Sequence, residues 1–78
     1  MQLDQFIQNF IDQFEDLDAN VITPQTVFKD LDEWSSLSAL SIIAMADEDY
    51  GVMLKGEDIR NAVTVEDLFD IVKSRKQD

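Results

Sequence analysis

The 78-residue chain has no cysteine and no histidine, two glycines, one proline and six basic residues. Without cysteine there is neither a disulfide framework nor a thiolate metal site, and without histidine a zinc site loses its main nitrogen ligand. The same absences remove the usual nucleophile and base of covalent catalysis. Only a lysine or a carboxylate could activate a serine here, no such constellation is legible, and we expect no enzyme. No apolar run approaches the roughly 18 residues that span a bilayer. The N-terminus carries Asp4 and no base before Lys29, so it does not read as a signal peptide. These absences lead us to expect a cytoplasmic protein without membrane insertion.

What is present is acid. The net charge is −11, and residues 1–72 hold 3 bases against 16 acids, net −13. Such a surface repels nucleic acid and anionic lipid and steers basic protein partners toward it. An apolar fraction of 45% is too high for a disordered acidic tail. The length fits one domain, 1–78, which buries only around 60% of its unfolded surface and must be held by hydrophobic packing alone.

Large apolar residues fall at Leu3, Phe6, Ile7, Phe10, Ile11, Phe14 and Leu17, the three-four alternation of one helical stripe. Acids near the end of this first helix oppose its dipole. Residues 19–34 show no helical period, and so long a connection is expected to pack as a structured loop anchored by Val21, Ile22, Val27, Phe28 and Leu31. The pairs around Val21 and Val27 alternatively read as short strands. Adjacent Ser35 and Ser36 then precede an apolar run that stops at Gly51. If Ser35 is the N-cap, Ser36 is the first helical residue and its hydroxyl projects from the helix tip. In this second helix Leu37, Ala39, Leu40, Ile42, Ile43, Ala44, Met45 and Ala46 cover more than one face, so it is central or offers partners a side the core does not need.

Past Gly51, the stretch Gly56-Glu57-Asp58-Ile59-Arg60-Asn61 reads as a turn or two of helix. Thr64 is able to cap a last helix with Glu66 and Asp67 in its first turn, Val65, Leu68, Phe69, Ile71 and Val72 on its buried face, and Lys73, Arg75 and Lys76 at its end. The expected fold is all-α, a small bundle of three main helices plus one short helix with a long first loop. The acids suggest calcium, but with Gly51 at the sixth position of an EF-hand loop, Ala46 and Tyr50 fall where ligands are needed, so we expect no metal.

At Ser35-Ser36-Leu37 the chain resembles the acyl carrier protein family, whose Asp-Ser-Leu signature heads the second helix and carries 4′-phosphopantetheine on the serine. The resemblance continues through Thr26-Val27-Phe28-Lys29-Asp30-Leu31, through Asp47-Glu48-Asp49-Tyr50-Gly51-Val52 and through Thr64-Val65-Glu66-Asp67-Leu68, and so covers nearly the whole chain. It implies that a phosphopantetheinyl transferase modifies Ser36 from coenzyme A. The monomeric protein then carries acyl groups as thioesters to enzymes of fatty-acid or specialised lipid or polyketide-like synthesis that have basic docking patches. Partner contacts are expected at Ser35, Leu37, Ser38, Leu40, Ser41, Met45, Asp47, Glu48, Asp49, Glu57 and Asp58, although Met45 reads more readily as adaptable core than as a contact. Three departures stand out. Ser35 replaces the usual Asp, keeping a cap but losing a carboxylate that family members offer to the transferase's metal. Ser38 and Ser41 occupy positions where central fatty-acid carriers commonly have acids, and Trp34 looks more like carriers of specialised pathways. The alternative is a small acidic helical interaction module without a prosthetic group, in which Ser36 is a structural cap.

Overall fold

Four helices and two 3₁₀ turns make up the regular structure in the computed structural model, which describes residues 2–76. Helix α1 spans Leu3–Ile11, α2 Ser36–Tyr50, α3 Gly56–Asn61 and α4 Val65–Arg75, with the 3₁₀ turns at Ala19–Val21 and Phe28–Asp30. This is the expected all-α bundle of three longer helices and a short one behind a long first loop. Among the described residues no helix is long and apolar enough to cross a membrane.

Helix α1 is shorter than its apolar stripe. Phe6 and Phe10 are fully buried, but the helix ends at Ile11 through a tightened turn in which Gln13 N–H and Phe14 N–H donate three residues back, to Phe10 and Ile11 carbonyls. No base sits in the last turn to offset the acids that follow. Phe14 and Leu17 still reach the core from outside the helix, because tertiary contact selects the apolar side chain whatever its backbone does. The Phe14 ring lies 5.3 Å from Phe10 and 6.3 Å from Trp34, and Trp34 in turn is 4.9 Å from Phe28. These aromatics anchor the approach to α2.

The long loop is structured, and by three of the five anchors expected. Ile22 and Phe28 are buried and Leu31 partly so, whereas Val21 and Val27 face solvent. The strand alternative is not found: residues 19–21 form a 3₁₀ turn capped by the Asp18 carboxylate, and Val27 makes only an isolated bridge to Thr64. That bridge has a purpose in the fold. Val65 N–H donates to the Thr26 carbonyl at 3.1 Å and Glu66 N–H to the Pro24 carbonyl at 2.9 Å, so the loop satisfies first-turn amides of α4 that would otherwise lack a partner.

Helices α3 and α4 are joined by charge as well as by packing. Asp58 is buried, accepts Lys55 N–H at 2.8 Å as the return arm of the α3 start, and receives both guanidinium nitrogens of Arg75 at 2.5 and 2.7 Å. Lys29 from the loop donates to the carbonyls of Ile59 and Arg60, at 3.2 and 2.8 Å, at the other end of α3. Helix α2 stops where Gly51 takes φ +66°, a left-handed conformation that a Cβ would disfavour.

Candidate functional site

The start of α2 is built from three serines with different roles. Ser35 is extended at φ −149° and ψ 177°, and its hydroxyl oxygen accepts Ser38 N–H at 3.3 Å. Ser38 reciprocates: its hydroxyl oxygen accepts Ser35 N–H at 3.1 Å. This is a capping box with serine in place of the usual Glu or Gln. Ser36, between them, is exposed, and its hydroxyl has no hydrogen-bond partner among the described residues. The amides of Ser36 and Leu37 are likewise unmatched by any protein acceptor, so the positive end of the helix dipole lies open around the Ser36 side chain.

Beside this start runs a groove of about 330 Å³ between the segment following α1 and the first turns of α2. Phe14 and Leu37 supply apolar wall, Ser35, Ser38 and Ser41 supply hydroxyls, and Glu33 stands at the approach to the helix. Sequence patterning did not single out the groove, because Phe14 and Glu33 come together only when the chain after α1 folds back.

The remaining expected contact residues divide by burial. Leu37 is 74% exposed and Leu40 62%, and with Ala44 and Glu48 they recur at three- and four-residue steps, so one exposed stripe runs along α2 from apolar to acidic. Glu48 lies about 18 Å from Ser36 along the axis at 1.5 Å per residue. Asp47, Asp49 and Glu57 are also exposed. Two of the expected contacts are corrected, Ser38 and Asp58, and Met45 takes its core reading. Met45 is 2% exposed and belongs to the core, because it follows Ile42 by three residues on the inward face. Ser38 is 8% exposed and consumed by the cap, and Ser41 is half-buried in the groove. Asp58 is 7% exposed and neutralised by Arg75; that pairing and the Lys55 amide hold its carboxyl down to about 2 from an ordinary 3.8. Exposed Met53 and Val63, in the links before and after α3, are apolar surface that periodicity could not flag, since neither lies in a helix.

Electrostatically α2 is inverted. It has no acid in its first turn, no base in its last, and three consecutive acids at its C-terminal end, where the dipole disfavours them. No family model matches the chain.

Proposed function

We propose that the chain is a carrier protein that is phosphopantetheinylated at Ser36 and presents acyl groups to partner enzymes. The observation that carries this reading is the Ser36 hydroxyl: exposed, uncommitted, and held at the first position of α2 while its neighbours Ser35 and Ser38 do the capping. In the modification the Ser36 oxygen forms a phosphoester bond, the pyrophosphate bond of coenzyme A breaks, adenosine bisphosphate leaves, and the hydroxyl proton passes to a base on the transferase. The resulting phosphodiester is an anion beside the open amides of Ser36 and Leu37, a favourable place for negative charge. Ser35 fits the group no worse than an acid would on the carrier's side, since the cap is intact and adds no negative charge next to the phosphate. When attached, the arm supplies a terminal thiol that holds acyl groups as thioesters.

Docking falls to the exposed stripe of α2. Leu37 and Leu40 offer apolar contact near the modified residue, and Asp47, Glu48, Asp49 and Glu57 steer basic surfaces toward it. Encounters of this kind gain speed from charge and release readily, which suits a protein that must visit several enzymes. The decisive experiment is intact-mass measurement after incubation with coenzyme A and a broad-specificity phosphopantetheinyl transferase. A mass increase of one phosphopantetheine per chain is expected. A chain that no transferase modifies would leave the acidic interaction module as the reading, with the same α2 stripe as its binding face.

A further inference from the structure

Ser38 and Asp58 are the two buried polar residues of the described chain, and only Asp58 has a charged partner to account for its burial. The Ser38 hydroxyl is saturated by its surroundings. It donates to the Glu33 carbonyl at 3.3 Å, accepts Ser35 N–H at 3.1 Å, and lies 3.3 Å from the Ser35 hydroxyl, which has its own proton to give. A serine oxygen has one proton and two lone pairs, and this arrangement uses all three. An ordinary capping-box acid could accept the Ser35 amide but could not donate five residues back to Glu33. Ser38 therefore ties residues 33–35 to the first turn of α2, with the Trp34 ring packed on Phe28 in between. Ser36 sits between the two tied ends.

On the carrier reading, which this step presupposes, we infer that Ser38 is a positioning residue for the modification of Ser36. It does not touch the reacting atoms. It holds the backbone on both sides of Ser36, so that an otherwise free hydroxyl is presented in one place for attack in the bound complex. Because misplacing a reacting atom by about 1 Å can cost on the order of 100-fold, loosening this start should appear in turnover more than in docking.

The test compares transferase kinetics of wild type, Ser38→Ala, Ser38→Asp and Ser38→Thr, with amide exchange at Ser35 as a direct report of the tie. Ser38→Ala should lower kcat about tenfold with KM unchanged and speed Ser35 exchange. Ser38→Thr keeps the donor and should restore both. Ser38→Asp keeps an acceptor for Ser35 N–H but cannot donate to Glu33; it should fold as well as wild type and still lose kcat, and it decides the matter if the alanine variant does not fold. An alanine or aspartate variant that turns over at the wild-type rate, or a loss seen only in KM, overturns the inference while leaving the Ser36 assignment in place. A wild type that is never modified overturns the carrier reading and this inference with it.

Discussion

The starts of α2 and α4 are written in nearly the same local grammar and end in opposite states. Both have a hydroxyl N-cap and a reciprocating residue three positions on, Ser35 with Ser38 and Thr64 with Asp67. At α4 the loop carbonyls of Pro24 and Thr26 take up the next amides, the first helical residue is the fully buried Val65, acids occupy the first turn, and Lys73 and Arg75 the last. At α2 the corresponding amides are open, the first helical residue is the exposed Ser36, and the acids sit at the wrong end for the dipole. One helix start obeys every stabilising rule available to it; the other satisfies its cap and leaves everything else facing outward. Departures from local stability rules that persist in a small, thinly cored domain point to function, and they concentrate on α2.

The largest expected effect lies at the first helical positions. Ser36→Ala should abolish the phosphopantetheine mass gain and leave the unfolding midpoint nearly unchanged, since the exposed side chain makes no hydrogen bond among the described residues. A variant still modified would move the site to Ser35 or Ser38 and dissolve the contrast.

Next come the caps. Thr64→Ala should cost about 1.5–2 kcal/mol in urea unfolding and Ser35→Ala about 0.5–1 kcal/mol: both cap bonds are part-buried, but Ser35 itself is exposed, so water can reach the amide it leaves, whereas Thr64 is half-buried where the loop docks. Equal losses would mean that docking of the loop adds nothing to the α4 start.

Acid should separate the two starts further. The amides of Thr64 and Val63 hold the Asp67 carboxyl below its ordinary range, whereas Ser38 has no proton to take up. With the folded value depressed, the unfolded chain is protonated first, so the Asp67 contribution is whole above the carboxylate range and disappears as pH falls through it. Amide exchange in the first turn of α4 should therefore rise on acidification relative to that of α2. The Asp58–Arg75 pair follows the same sign: its contribution is present above 3.8 and lost as pH falls toward 2. Asp58→Asn should remove that dependence. A stability profile unchanged by the substitution would show the pair to be energetically idle.

The smallest effects test the inverted dipole. Glu48→Lys should raise stability by about 0.3–1 kcal/mol while slowing association with a basic partner at low salt, an effect that fades as salt screens the surface. Glu66→Lys, in the first turn of α4, should do the reverse, lowering stability and leaving the association rate alone. If both charge reversals act alike on the rate, the docking face does not lie on α2.

Much of this contrast was legible in the sequence. Ser35 as cap, Ser36 as first helical residue, Gly51 as the stop, the short α3 and the Thr64 start all follow from bonding within one or two turns, which residue identity specifies without outside help. The end of α1 was not legible, because Phe14 continues the helical spacing but answers to Trp34, a residue twenty positions away. Nor was the fate of Ser38 and Asp58, both read as surface contacts: burial of Ser38 depends on the path of residues 33–35, and that of Asp58 on where α4 delivers Arg75. Local hydrogen bonding is therefore what the sequence by itself determined, together with the inward face of each helix. Which polar groups were left for solvent, and so for partners, was decided only when the long loop closed over the α4 start and left the α2 start open, since exposure depends on every element packed around a residue and on none of them alone.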